Sequence, residues 1–374
     1  MPTSSDPSSP NAGPPSFVPY GRQAIDDDDI AAVVSALRSD WLTGGPAIDR
    51  FESAICEVTG ARHAVVFANG TAALHGAVAA AGLGPGDRVA VPSLTFAASA
   101  NAARYCGAEP VLLDIDPATL NVDLSAMPAD VDGLVAVHYA GLPVDLRSIP
   151  NRPRIVIEDA AHALGARTPD GPVGNCANSD LCCFSFHPVK PITTGEGGAV
   201  TTNDDGLADR LRRFRSHGLV RRPERGGWYQ ETVDLGYNYR LTDIQAALGA
   251  SQITKLERFT QRRNDLADRY RSKLGSDAII LPPEAPPGWR HSYHLFAVRV
   301  PDRRAAYDRL HAVGIGVQVH YVPLHHHPSF ADVARVGQLD RTDEAYAQLL
   351  SLPLHPGLTD ADQDRVISHL TGPS

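Results

Sequence analysis

The chain has 374 residues, of which 43% are hydrophobic and 21% charged, an ordinary composition for a globular protein with a large core. Its formal net charge of -9 argues against nucleic acid as a partner, because a surface that binds phosphates needs clustered lysine and arginine. No apolar run approaches the roughly 20 residues of a membrane helix, and the N-terminus lacks the basic and apolar segments of a secretory signal. We therefore expect a cytoplasmic protein that binds no membrane.

Two scarce residue types restrict the chemistry. The five cysteines are odd in number and form no C-x-x-C pair, so neither a disulfide framework nor a thiolate metal site is expected. The chain has three lysines, Lys190, Lys255 and Lys273, and the other 31 of its 34 basic residues are arginine. Lys255 and Lys273 lie among charged residues of a predicted helix, which favours a solvated position for both.

The first part of the chain alternates strands and helices. Residues 1–16 are rich in Ser and Pro and predict a disordered tail, and the acids at 26–29 open a helix that is predicted to end near Arg38. Apolar runs predict strands at His63–Phe67, Arg88–Pro92, Val111–Asp114, Gly133–His138, Arg154–Glu158, Leu181–Phe186 and Ala199–Thr202. Ala72–Ala81 and Ala97–Cys106 predict helices. This alternation predicts an α/β fold whose mostly parallel sheet is covered on both faces and binds ligands at the carboxyl ends of its strands.

A second region follows this alternating pattern. Gln245–Tyr270 predicts one long helix, Tyr293–Val300 a strand, Arg303–Val313 a helix and Gly316–Tyr321 another strand. We expect a large ligand-binding domain at residues 17–255 and a smaller C-terminal α+β domain at residues 256–374.

Two motifs at strand ends suggest a ligand with a phosphate and a ring nitrogen. Asn69-Gly70-Thr71-Ala72 joins a strand to a helix, where free backbone N–H groups suit a phosphate; a plain turn capped by Thr71 is the alternative. The strand at 154–158 ends in Glu158 and Asp159, and one carboxylate there could pair with a protonated pyridine nitrogen. The two acids could instead cap the next helix, and His162 could contact the ring or be an ordinary, partly buried histidine.

Two further motifs supply an amine and a group of polar side chains. Phe184–Lys190 leads from a buried strand into a loop rich in Gly and Thr, and a desolvated lysine has a lowered pKa and acts as a nucleophile. Ser185 in this motif could hold a phosphate or bond to the backbone. Gly236–Gln245 combines aromatic, amide and guanidinium groups before a helix that Thr242 or Asp243 would cap. An amine, an acid and a phosphate site are what pyridoxal 5'-phosphate (PLP) needs.

The order of these motifs resembles the DegT/DnrJ/EryC1/StrS family of sugar aminotransferases. Further matching segments are Asp40–Pro46, Glu158–Ala163, Gly195–Val200, Arg215–Gly218, His291–His294 and Ser351–Leu358, so the resemblance covers nearly the whole chain beyond Pro19. Tyr20–Gln23, Val173–Cys176 and Phe186–Lys190 are most similar to the pseudaminic-acid branch, which aminates C4 of a UDP-linked 4-keto-6-deoxy sugar. The resemblance implies a PLP-dependent transferase of fold type I, like aspartate aminotransferase, with glutamate as amino donor.

The resemblance also implies residue roles. Lys190 would bond to PLP and move the proton, and Asp159 would hold the pyridine nitrogen protonated. The other implied cofactor contacts are Gly70, Thr71, Phe96, His162, Ser185 and Asn238. Asn238 would reach the cofactor from the partner subunit, so the active unit would be a homodimer with shared sites. The implied substrate contacts are Tyr20, Asp40, Trp41, Leu42, Thr43, His187, Arg240, His320 and Tyr321.

Departures from the family pattern leave alternatives open. Leu142 stands where many relatives have Gln, and Asn69-Gly70 replaces Ser-Ala, so a dTDP-sugar or a keto-cyclitol stays an alternative substrate. A family-related PLP sugar dehydratase is a second alternative, but that branch has His at the lysine position or a cysteine-bound iron–sulfur cluster. A non-catalytic regulator with the same fold is a third. His325-His326-His327 predicts no metal site, because consecutive histidines converge poorly on one ion and no acid cluster is close in sequence.

Overall fold

The computed structural model describes residues 17–147, 149–275 and 278–371, so the predicted disordered tail lies outside the described residues. The helices are α1 (Asp27–Leu37), α2 (Pro46–Thr59), α3 (Gly70–Ala80), α4 (Ala98–Tyr105), α5 (Asp205–Arg215), α6 (Asp243–Ile253), α7 (Leu256–Lys273), α8 (Arg303–Ala312), α9 (Asp340–Gln348) and α10 (Asp360–Thr371). Among these residues, no helix combines the length and the apolar character needed to cross a membrane.

The strands fall into one large sheet and three small pairs. They are β1 (His63–Phe67), β2 (Arg88–Pro92), β3 (Glu109–Leu113), β4 (Gly133–Val137), β5 (Ile155–Asp159), β6 (Arg167–Thr168), β7 (Gly171–Pro172), β8 (Leu181–Ser185), β9 (Gly198–Thr202), β10 (Leu219–Arg221), β11 (Gln230–Thr232), β12 (Phe296–Arg299), β13 (Ala334–Arg335) and β14 (Leu349–Leu352). The large sheet has the order β1-β9-β8-β5-β4-β2-β3-β13, and β9 alone runs antiparallel to its neighbours. The prediction of a mostly parallel sheet is confirmed.

Helices cover both faces of this sheet. Successive side chains of a strand point to opposite faces, and Val65 and Val66 of β1 are both fully buried. Val65 belongs to the cluster under α3, α4 and α5, whereas Val66 packs with Phe51 of α2 and Ala246 of α6. Because both faces are apolar, the strands read as continuous hydrophobic runs rather than as alternating ones.

A separate hydrophobic cluster is built mainly from residues after α6. It joins the β12–β14 pair to α7, α8 and α10, with Phe296, Leu310, Leu350 and Val366 fully buried. The domain boundary proposed at residues 255/256 falls at the interruption between α6 and α7, and it stays a prediction.

Three predicted elements differ from the structure. The long helix at Gln245–Tyr270 is two helices, because the chain tightens at Lys255, whose N–H donates to Gln252 O at 3.0 Å. The strand predicted at Gly316–Tyr321 is wrong. This segment forms backbone hydrogen bonds with Val18 at one point and with Ser351 at another, which gives isolated bridges and no continuous strand. The strand predicted from Tyr293 begins at Phe296, because Tyr293 has a φ of 46° that no strand accommodates.

Candidate active site

A cavity of about 690 Å³ lies where β1, β2, β4, β5 and β8 end. It is the position at which an open parallel sheet binds its ligands. The predicted site residues that line it are Tyr20, Gly70, Thr71, Phe96, Asp159, His162, Ser185, His187, Lys190, His320 and Tyr321. Residues far apart in sequence thus meet in one cavity.

Lys190 is half-buried in the loop that follows β8. The backbone N–H of Lys190 donates to His187 O at 2.9 Å. The backbone N–H of Thr194 donates to Phe186 O at 3.0 Å and so closes the loop. Burial lowers the pKa of the Lys190 amine to about 8, and the Asp159 carboxylate opposes this change. A fair fraction of this amine is therefore neutral near pH 8 and able to attack a carbonyl group.

The two other lysines are held in ion pairs. Lys255 Nζ lies 2.9 Å from Asp29 Oδ1 and also pairs with Asp26, which fastens α1 to the start of α7. Lys273 Nζ lies 2.6 Å from Asp364 Oδ1. Lys190 is thus the lysine whose amine opens into the cavity.

The adjacent acids at the end of β5 face opposite sides of the sheet. Asp159 lines the cavity, where its Oδ2 accepts from Ser99 Oγ at 2.7 Å and its Oδ1 accepts from Ala161 N–H at 3.2 Å. Glu158 instead bonds to His138 Nε2 at 2.7 Å and to Ser179 Oγ. Of these two carboxylates, Asp159 is the one that a ligand in the cavity can reach.

The N-terminus of α3 forms one end of the cavity. Asn69, and not Thr71, caps this helix, since its Oδ1 accepts from Ala72 N–H at 2.8 Å. A Cβ on Gly70 would lie 2.8 Å from Ser185 Cβ, so glycine is required for this close approach. The result is a recess that combines backbone N–H groups, a helix N-terminus and the hydroxyls of Thr71 and Ser185, which suits a phosphate.

Two neutral histidines stand beside Asp159 and Lys190. His162 Nε2 lies 3.0 Å from Tyr321 Oη, and the His162 ring centre lies 4.4 Å from that of His294. Burial, reinforced by the charge of Lys190, holds the pKa of both histidines well below the usual value. Nδ1 of each ring has no hydrogen-bond partner among the described residues, which leaves a polar atom available to a ligand.

Aromatic rings form the mouth of the cavity. Tyr20 and His320 have ring centres 5.4 Å apart, and burial together with Lys190 lowers the pKa of His320 to about 4. Phe96 is 59% exposed, with its ring centre 5.8 Å from that of Tyr321. An exposed ring over the cavity offers a stacking surface to a flat ligand.

Six of the predicted site residues do not line the cavity of the single chain. They are Asp40, Trp41, Leu42, Thr43, Asn238 and Arg240. The loop at 40–43 is exposed and is anchored through Leu42 O, which accepts from Asp243 N–H at 3.0 Å. Asn238 is also exposed, next to a backbone bridge with Ser216.

The residue-by-residue predictions omitted several lining residues, namely Asn69, Tyr105, Glu196, Tyr239 and His294. Asn69, Tyr239 and His294 lie inside motifs that stand out in the sequence, so their position in these motifs was a usable signal. Glu196 lies in such a segment as well, Gly195–Val200, whereas no sequence signal pointed to Tyr105.

Comparison with known proteins is decisive for the family. The sequence profile of the DegT/DnrJ/EryC1/StrS aminotransferase family matches residues 23–371. The chain belongs to this family. It is 35% identical over 373 residues to the spore coat polysaccharide biosynthesis protein SpsC of Bacillus subtilis, a match that covers 94% of this chain and 95% of SpsC.

Two solved aminotransferase structures superpose on the fold. One is the PLP form of the sugar aminotransferase Spr1654 from Streptococcus pneumoniae, with a TM-score of 0.87 and 28% identity over 95% of this chain and 97% of that one. The other is PseC of Helicobacter pylori, an aminotransferase of pseudaminic acid biosynthesis, with a TM-score of 0.88 and 29% identity over 95% and 98%.

This member of the DegT/DnrJ/EryC1/StrS family is a PLP-dependent sugar aminotransferase with the fold of those enzymes. The cavity fits the cofactor: it presents an amine, a carboxylate and a glycine-walled helix N-terminus, which match an aldehyde, a pyridine nitrogen and a phosphate.

Proposed function

We propose that the enzyme moves an amino group from glutamate to the keto carbon, C4, of a UDP-linked keto-deoxy sugar. The observation that carries this proposal is Lys190, an amine of lowered pKa that opens into a cavity of about 690 Å³ beside Asp159. The similarity to PseC, an aminotransferase of pseudaminic acid biosynthesis, supports a keto-sugar substrate.

Lys190 and Asp159 are the proposed catalytic residues. Bound PLP supplies an electron sink for the carbon that loses a proton. Lys190 Nζ would hold the cofactor and would serve as the base that moves this proton, a task that suits an amine with a pKa near 8. Asp159, held by Ser99 Oγ and Ala161 N–H, keeps the pyridine nitrogen protonated.

The remaining cavity residues divide between cofactor and sugar. Gly70, Thr71 and Ser185 would hold the phosphate, while Phe96 would stack on the cofactor ring and His162 would contact it. Around the mouth, we assign the aromatic and histidine side chains of Tyr20, His187, His320 and Tyr321 to the sugar. Contacts to the distant nucleotide orient the keto carbon, a use of binding energy away from the reacting atoms.

The exposed predicted residues support a homodimer. Asp40–Thr43, Asn238 and Arg240 lie outside the cavity of one chain, and we propose that they complete the site of a partner subunit. Trp228 and Leu235, which precede Asn238 in sequence, are 85% and 81% exposed, and Trp41 of the 40–43 loop is 55% exposed. Apolar surface of this kind is typical of a protein interface. We also propose a cytoplasmic location, because all five cysteines are free thiols.

The test is a pair of half-reactions followed by absorbance. Glutamate should convert the PLP enzyme to its pyridoxamine form, and that form should then lose its amine to a UDP-linked 4-keto-6-deoxy hexose. A dTDP-linked ketone and a non-nucleotide keto-cyclitol are the matched alternatives. If the keto-cyclitol alone discharged the amine, the nucleotide-sugar assignment would be wrong and aminotransfer would stand. If glutamate left the spectrum unchanged, the donor assignment would fail.

A further inference from the structure

A group of metal-binding side chains lies outside the cavity. His325 and His326 belong to the short 3₁₀ helix Leu324–His326, and Asp343 lies on α9. His325 Nε2 and His326 Nε2 are 3.0 Å and 2.8 Å from the same oxygen, Asp343 Oδ1. One ligand atom from each of the three residues lies within 4.8 Å of the others. The sequence predicted no metal site because no acid cluster lies close to the histidines in sequence. Asp343 is further along the chain and was therefore missed.

The histidine on the buried side of this group is already oriented. The His325 side chain is 7% exposed, and its Nδ1 lies 2.7 Å from Ser93 Oγ. When Nδ1–H donates to Ser93 Oγ, the lone pair of Nε2 points toward Asp343. Metal-bound histidines are held by hydrogen bonds of this kind.

The other two side chains leave room for solvent. His326 and Asp343 have side chains 38% and 46% exposed, and the His326 ring meets the edge of Tyr346 at 5.6 Å between centres. Two imidazoles and one carboxylate suit a borderline-soft divalent ion such as Zn²⁺, with water in the remaining position.

We propose that His325 Nε2, His326 Nε2 and the Asp343 carboxylate bind one divalent transition-metal ion of the Zn²⁺ class. The ion would replace the two short contacts that now join Nε2 of each histidine to Asp343 Oδ1. Since the side chains belong to the 3₁₀ helix and to α9, the ion would lock these two elements together.

The position of this site gives it a structural role next to the cavity. Leu324 N–H donates to Ser93 O at 2.9 Å, and Ser93 begins the segment that carries Thr95 and Phe96 to the cavity. The segment that leads into the 3₁₀ helix carries Tyr321, whose ring packs against that of Phe96 with 5.8 Å between the ring centres. A bound ion would therefore stiffen this wall without touching the reacting atoms.

The test is a Zn²⁺ titration of untagged holoenzyme after dialysis against a chelator, in competition with a chromogenic chelator. The variants are His326→Ala and Asp343→Asn. His327→Ala is the matched control, because His327 belongs to the same histidine run but its Nε2 contacts Val322 O at 3.3 Å instead of Asp343. Wild type and the control should bind one Zn²⁺ per chain, with affinity lowered at least about tenfold in both test variants.

Two further measurements make the result unambiguous. Zn²⁺ should raise the thermal midpoint of wild type and of His327→Ala, and this rise should be lost in His326→Ala. Because His326 is partly exposed, this variant should fold even if Asp343→Asn does not, and retained PLP absorbance reports folding. The proposal is overturned if wild type shows no stoichiometric binding, or if folded His326→Ala binds Zn²⁺ as wild type does.

Discussion

A single chain provides the whole floor of the cavity but only part of its outer rim. The floor is complete within a single chain: Lys190 opens into the cavity, Asp159 is held by Ser99, and Gly70 packs against Ser185. The rim is not complete, because Asp40–Thr43, Asn238 and Arg240 lie outside the cavity of that chain.

This difference separates chemistry from recognition. Except for Asn238, the groups proposed to act on the cofactor belong to one chain, where strand ends and short hydrogen bonds fix Asp159 and Ser185. The groups proposed to select the sugar lie largely on exposed loops, where positioning depends on a partner. We therefore expect substitutions on the floor to abolish turnover, and substitutions on the rim to act through the dimer.

The largest effect is expected at Lys190. Lys190→Ala should lower kcat/KM by about 10³-fold or more, because the variant loses the group that moves the proton. Lys273→Ala is the control, since that amine pairs with Asp364 at the surface, and it should keep wild-type activity. Wild-type turnover by Lys190→Ala would show that Lys190 takes no part in catalysis.

Asp159 and its sequence neighbour offer a matched pair. Asp159→Asn should lower kcat by about 10²-fold or more with the fold intact, because an amide cannot keep a ring nitrogen protonated. Glu158→Gln should instead lower the thermal midpoint and leave kcat nearly unchanged, since Glu158 bonds to His138 on the other side of the sheet. Steady-state kinetics and thermal melts would measure both, and the reverse pattern would contradict the assignment.

The rim is tested by mixing subunits. Lys190→Ala and Asn238→Ala should each be nearly inactive alone. If Asn238 acts in the partner's site, each mixed dimer has one site without a substitution, so a random 1:1 mixture recovers about a quarter of wild-type activity. No recovery, in mixtures that sedimentation shows to exchange subunits, would mean that each site takes both residues from one chain.

A smaller effect is expected in the pH dependence of cofactor capture. Burial gives the free Lys190 amine a pKa of about 8, so its neutral, reactive fraction grows as pH rises through 8. The rate at which apoenzyme takes up PLP should rise across this range and level off above it. A rate that kept rising toward about 10.4, the ordinary lysine pKa, would show that the amine is solvated.

Local sequence patterns predicted the large sheet well but not the details of its edges. The buried strands of a parallel sheet are unbroken apolar runs, and each run at positions 63–202 corresponds to a strand. Gly316–Tyr321 was also predicted as a strand, but it bonds to Val18 and Ser351 from distant parts of the chain. Pairing partners of this kind are not encoded locally, so the strand prediction failed there.

The site was predictable where a motif coincides with a strand end. Asp159 and Ser185 are the last residues of β5 and β8, and Lys190 lies in the loop after β8, so the sheet brings them together. The choice between Glu158 and Asp159 needed the direction of each side chain, which the residue pattern left open. The three side chains proposed to bind a metal lie on the 3₁₀ helix Leu324–His326 and on α9. A contact between segments that are separate in sequence leaves no local signal.

The central claim is that Lys190 carries the cofactor, and peptide mapping after borohydride reduction of the holoenzyme tests it most directly. The chain has three lysines, so the result is a choice among three peptides. The structure predicts the reduced PLP adduct on Lys190 alone, because Lys255 and Lys273 are held in ion pairs. An adduct on Lys255 or Lys273, with Lys190 unmodified in active enzyme, would contradict the account.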